Sequence, residues 1–118
     1  MKENIIKNKS FAFALRVVKA CQFLSERKEY VLSKQMLRSG TAIGAMVREA
    51  EQAESGADFV HKMAIALKEA NETEYWIELL AQSNYLEEKV AISLKNDLAE
   101  ILKLLTAIIK TSKENAKK

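Results

Sequence analysis

The chain has 118 residues, no proline, three glycines and one cysteine, Cys21. That length suits one domain with its own core, and the shortage of turn residues excludes a fold of many short strands. Net charge is +3, no apolar run nears a membrane span, and Met1-Lys2-Glu3-Asn4 opens no signal peptide. A cytoplasmic chain without membrane contact or an intrachain disulfide is expected.

Apolar periodicity predicts four helices, over about residues 10–27, 31–54, 57–83 and 87–114. Ser10 reads as the first N-cap. Ser55 with Asp58 reads as a capping box for the third helix, and Asn84 as its left-handed terminator. Connections this short place sequential helices antiparallel, so the expected fold class is all-α, an up-down-up-down four-helix bundle over residues 1–118.

The first helix carries two apolar stripes. One contains Phe11, Ala14, Leu15, Val18 and Cys21, the other Phe13, Val17, Ala20 and Leu24. The third helix repeats this, with Phe59, Met63, Ala66, Ala70, Ile77 and Ala81 on one face. Ile65, Glu69, Glu72, Trp76 and Leu79/Leu80 run opposite. One bundle core needs one stripe per helix, so the second stripes point to a partner copy. The expected contact between chains uses Phe13, Val17, Leu24, Ile65, Glu69, Glu72, Trp76 and Leu80. Glu74 falls within the apolar arc and needs a cation such as Arg38 or Arg48. Gly40 and Gly44 lie one turn apart on the second helix. Each costs about 1 kcal/mol relative to alanine, a cost that close approach of another helix would offset.

Catalytic constellations are absent. His61 follows Asp58 at the right spacing for half of a di-metal motif, but no second copy exists. No nucleophile elbow or glycine-rich phosphate loop is present. Glu69 and Glu72 read as interface ion pairs with nearby Arg38, Arg48 or Lys62 rather than as an acid–base pair. No enzyme, cofactor or metal is expected.

Charge is uneven: +4 over residues 1–30 and −3 over 57–83. Lys9, Arg16, Lys19 and Arg27 share an arc of the first helix. Lys95, Lys103, Lys110, Lys113 and Lys117 share an arc of the fourth. The first and last helices of such a bundle are neighbours, so the arcs are expected to merge into one surface for the phosphates of RNA or DNA. The plain alternative is a solvated polar face on a protein-interaction scaffold. No aromatic interleaves the lysines, so stacking on single strands is not expected.

Several stretches together resemble a known family. They are Ser10-Phe11 with Phe13-Ala14, Arg38-Ser39-Gly40-Thr41-Ala42-Ile43-Gly44-Ala45, Glu49, Asp58-Phe59, and Lys68-Glu69-Ala70-Asn71-Glu72-Thr73-Glu74-Tyr75-Trp76. They resemble the bacterial four-helix-bundle proteins encoded within intervening sequences of 23S rRNA genes. That family is in turn similar to the accessory variability proteins of diversity-generating retroelements. The resemblance implies a homopentamer of bundles. For the retroelement relatives it implies nucleic acid and a reverse transcriptase as partners. The family often has Asn where Met46 stands, so no role of that Asn carries over.

Overall fold

The computed structural model describes residues 2–116. Four helices follow one another: α1 (Lys2–Glu26), α2 (Leu32–Glu51), α3 (Gly56–Gln82) and α4 (Glu88–Ala116). They form an all-α bundle measuring 52 × 21 × 20 Å. Contacts run around the square: α1 with α2, α2 with α3, α3 with α4, and α4 with α1. The backbones of the diagonal pairs stay more than 8 Å apart, Cα to Cα, and the α1–α4 seam is the least extensive.

Helix α1 starts at Lys2, well before the expected cap at Ser10. Ser10 instead sits inside the helix, buried, with its hydroxyl donating to the Lys7 carbonyl at 3.2 Å. Back-bonding to the preceding turn lets a serine sit in a helix with its hydroxyl satisfied. Ile6, Phe13, Val17 and Leu24 then make one continuous buried line.

This reverses the expected roles of the α1 stripes. Phe13 is 1% exposed, and Val17 and Leu24 are fully buried in their own chain's core. Phe11 and Leu15, on the other stripe, are 50% and 52% exposed. The glycines explain the choice. A Cβ on Gly40 would lie 2.9 Å from both γ-methyls of Val17, and one on Gly44 would lie 3.4 Å from the Ser10 hydroxyl. The Ser10–Phe13–Val17 side of α1 is therefore the side that beds onto the small residues of α2.

Gly40→Ala should consequently destabilise the bundle. Alanine gains about 1 kcal/mol of helix propensity. Overpacking against a stiff β-branched side chain costs about 1–3 kcal/mol. A net loss is expected in urea unfolding, and adding Val17→Ala should relieve the overpacking. A more stable Gly40→Ala protein would show that the seam has slack.

The turns follow their chemistry. Ser55 caps α3, its hydroxyl accepting from the Asp58 N–H at 3.1 Å, while the Asp58 carboxylate accepts from the Glu54 N–H at 3.2 Å. Asn84 takes φ 67° after α3, with Tyr85 N–H donating to the Leu80 carbonyl at 2.9 Å, which closes a Schellman turn. Lys28 makes the same turn after α1 at φ 64°, with Glu29 N–H donating to the Leu24 carbonyl at 2.9 Å.

Helix α2 is capped from upstream. The buried Glu29 carboxylate accepts from the backbone N–H groups of Val31, Leu32 and Ser33 at 3.3, 3.1 and 2.7 Å. The Ser33 hydroxyl returns a bond to the Glu29 carbonyl at 2.9 Å. Burial pushes this carboxyl up, but the donated bonds together outweigh it and hold it below the usual carboxylate range.

Candidate interaction surfaces

The cations of α1 do not form a free stripe. Lys9 Nζ lies 2.7 Å from Glu100 Oε2, and Arg16 Nη1 lies 2.6 Å from Asp97 Oδ2. Arg16 also donates to the Ser93 hydroxyl at 3.0 Å. The hydrogen bond and charge of Glu100 hold the Lys9 ammonium above its ordinary pKa. Arg27 donates to the carbonyls of Asn84 and Tyr85 and sits against the rings of Phe23 and Tyr85. Lys9 and Arg16 thus tie α1 to α4 along the thinnest seam of the bundle, while Arg27, just past α1, ties to the α3–α4 turn. Lys19 is exposed beside a shallow apolar groove lined by Phe23, Val90 and Leu94.

The expected merger of the two basic arcs therefore does not occur. Asp97 and Glu100 form the α1-facing flank of α4, and they separate its lysines from those of α1. Of the α4 lysines, Lys95 lies on the other flank, toward α3. Lys95 is half-buried there, in a hollow that also holds Glu78, Glu87 and Glu88. Lys103, Lys110 and Lys113 are exposed, and among the described residues none of them is ion-paired. Lys117 lies outside the described residues.

The acid-and-aromatic segment of α3 also resolves within one chain. The Arg38 guanidinium of α2 donates to both oxygens of Glu69 at 3.2 Å and to Glu72. The Trp76 indole N–H donates to Glu72 Oε2 at 2.9 Å, and Tyr75 meets the Trp76 ring edge-on at 5.0 Å. These donors, the indole first and the guanidinium second, hold the Glu72 carboxyl below its usual range. Beneath them, the buried Thr73 and Ser39 hydroxyls are 2.9 Å apart and lock α3 to α2.

Leu80 is fully buried in the core, while Ile65 and Trp76 are half-buried. The expected interface of Phe13, Val17, Leu24, Ile65, Glu69, Glu72, Trp76 and Leu80 is thus largely spent inside the protomer. Glu74 is half-buried, and among the described residues its expected pairing with Arg38 or Arg48 is not formed. Arg38 is instead engaged by the two acids one helical turn apart on the α2-facing side.

The free apolar surface lies elsewhere. Phe11, Leu15 and Val18 line the outer edge of α1 on its α2 side, with Leu37 of α2 exposed beside them. Val18, Cys21, Gln22 and Leu37 share a shallow depression between the two helices. Arg48 of α2 sits 5.2 Å from the Phe11 ring centroid. Burial, and then the charge of Glu29, pushes the Cys21 thiol up to about 11, as befits a packing residue.

His61 is exposed on α3. Among the described residues, no group of three or more His, Cys, Asp or Glu side chains is placed to hold a metal ion. No described helix is long and apolar enough to cross a membrane.

The 23S rRNA-intervening sequence protein family model matches residues 2–107. A crystal structure of a protein of unknown function from the S23 ribosomal protein family of Bacteroides thetaiotaomicron superposes with a TM-score of 0.91. It is 58% identical, over 93% of this chain and 99% of that one. No curated protein matches. With the bundle, its glycine seam and the α2–α3 ion-pair cluster in place, the chain belongs to the 23S rRNA-intervening sequence protein family.

Proposed function

We propose that this chain is a non-enzymatic accessory protein that self-associates through the α1–α2 apolar edge and presents the α4 lysines to a nucleic-acid backbone. One observation supports the reading: the exposed apolar residues belong to α1 and α2, and the exposed, unpaired lysines to α4. The apolar edge leans from α1 toward α2. Lys103, Lys110 and Lys113 are exposed on α4, whose Asp97 and Glu100 pair with α1. Burying the first against other copies leaves the second exposed and repeats it around the assembly. Five copies is the number that the family resemblance implies.

An exposed row of phenylalanine, leucine and valine on a small domain is the kind of patch that marks a protein contact. Leu15→Glu should dissociate the assembly while leaving helix content unchanged, because Leu15 is already half in solvent. Light scattering of that variant at an unchanged oligomeric mass would reject the proposed seam. The lysines suit phosphates because they are point charges without the planar fork that reads base edges. Failure of the protein to retain RNA or duplex DNA even at low salt would reject that half of the proposal.

The apolar edge also favours a second reading, a scaffold that binds a different protein and no nucleic acid. Lys103→Glu with Lys110→Glu separates the two, since a scaffold working through α1 and α2 should keep its partner. Among the described residues no feature singles out a reverse transcriptase, and that partner forms no part of the proposal.

A further inference from the structure

We propose that the apolar groove between α1 and α4 receives one amphipathic helix of a protein partner, with an acidic side chain set against Lys19 and a basic one against Glu87. The inference stands apart from the nucleic-acid reading and from self-association at the α1–α2 edge.

Two arginines bracket the groove. Arg16 ties α1 to α4, donating to Asp97 Oδ2 at 2.6 Å and to the Ser93 hydroxyl at 3.0 Å. Arg27 ties the end of α1 to the α3–α4 turn, donating to the Asn84 carbonyl at 3.2 Å and to that of Tyr85. Between these ties lies a recess of about 370 Å³, lined by Ala20, Phe23, Leu86, Val90 and Leu94. Leu86 and Leu94 are buried and make its floor. Phe23 and Val90 are 45% and 36% exposed and make its two banks.

Length and depth together select the occupant. From Arg16 to Arg27 the chain advances about 16 Å at the rise of a helix, roughly three turns. A bound small molecule typically has about 70–90% of its surface covered. A groove whose own banks stand well out in solvent covers one side of an occupant only. One side is what an amphipathic helix needs covered, because its apolar residues at i, i+3 or i+4, and i+7 share a single stripe. That stripe spans about 10–11 Å, which fits between the two ties.

The charges at the groove give the partner its polar chemistry. Lys19 lies on the α1 bank, toward the Arg16 end. Glu87 lies on the α4 bank at the turn end, because α1 and α4 run antiparallel. Both are exposed. The Arg16 charge is already met by Asp97, so Lys19 is the cation offered to an occupant. Opposite charges on opposite banks favour a helix that carries one acid and one base beside its apolar stripe, and they disfavour one with two like charges.

A fluorescein-labelled, hydrocarbon-stapled helix of about four turns tests this by anisotropy with the full chain. The probe has leucines on one face, glutamate in its first turn and lysine in its last, which its own dipole also favours. Its companion has glutamine at both charged positions, and a scrambled peptide scatters the leucines around the helix. The charged probe is expected to bind tightest and the scrambled one at least tenfold more weakly. Val90→Glu puts a carboxylate on the bank, in the first turn of α4 where acids are tolerated, and should lower affinity for the probe at least tenfold. Lys19→Glu, at an exposed site that the fold does not need, should weaken the charged probe about fivefold and leave the glutamine companion nearly unchanged.

That charge-specific loss supports the proposal. No binding of the charged probe, or equal binding of the scrambled peptide, overturns it. Binding untouched by both Val90→Glu and Lys19→Glu places the peptide elsewhere and overturns the assigned groove. A drop in assembly mass for Val90→Glu in light scattering would show that a second copy fills the groove. Displacement of the probe by micromolar decanoate would assign the groove to a small amphiphile. Either result overturns the partner helix.

Discussion

Phe13→Ala is expected to destabilise the protein by about 3–5 kcal/mol, whereas Phe11→Ala, two residues away, should cost a single chain no more than about 1 kcal/mol. The contrast follows from burial: Phe13 is 1% exposed and Phe11 50% exposed. Removing the first leaves a cavity among core residues that cannot fully collapse. Removing the second gives up a solvent-facing ring whose one specific partner is Arg48. The two variants should also differ in kind. Phe13→Ala should lower the urea midpoint at every protein concentration. Phe11→Ala should mainly weaken the dependence of that midpoint on concentration, because an interface residue acts through association. Equal losses from both variants, independent of concentration, would overturn the assignment of the two stripes.

Glu29→Ala should carry the next largest cost, about 2 kcal/mol, although the residue belongs to no helix. Its carboxylate serves three backbone N–H groups at the start of α2, and it is itself only 7% exposed. Deleting it removes the cap and leaves partly buried donors without a partner. Glu29→Gln should lose less, because the amide keeps one acceptor oxygen.

The pH dependence has a definite sign. The Glu29 pKa is lowered in the folded state relative to the unfolded one, where a glutamate titrates near about 4.3. Its contribution is therefore complete above that unfolded value and is lost as pH falls through the lowered folded value. The stability gap between wild type and Glu29→Ala should be constant near neutrality and narrow in acid. A gap that widens in acid would mean that the carboxylate is not the cap.

Much of the architecture was legible in the residues. Four helices, the Ser55–Asp58 cap, the Asn84 terminator and the close approach at Gly40 and Gly44 each follow from local chemistry. The choice between the two α1 stripes did not, because Phe11-Leu15-Val18 and Phe13-Val17-Leu24 have equally good helical spacing. The deciding residue was Ile6, which continues the second stripe one heptad back from Phe13. It was hidden by reading Ser10 as a start signal. Ser10 was a cap by residue type alone; in the fold it fits against Gly44, a tertiary fact with no local signature.

The basic surface was half legible. Helical geometry puts Lys95, Lys103, Lys110 and Lys113 on one arc of α4, but Lys95 is half-buried in a hollow with Glu78, Glu87 and Glu88. It does not tell which flank meets α1, and that orientation determines whether Lys9 and Arg16 are free or paired. Glu69, Glu72 and Trp76 were singled out for the right reason, an unusual mixture of acid and aromatic. Their partner proved to be Arg38 of the same chain, because α2 lies alongside and supplies a fork that both acids can reach.

The central claim is that separate surfaces of one bundle serve two partners, other copies at the α1–α2 apolar edge and phosphate at the exposed α4 lysines. Size-exclusion chromatography with multi-angle light scattering of the protein mixed with a short duplex at low salt tests it most directly. The account predicts one peak containing the duplex, with a protein mass that is a multiple of 13.3 kDa. A protein peak at 13.3 kDa, or an oligomer from which the duplex elutes free, would contradict it.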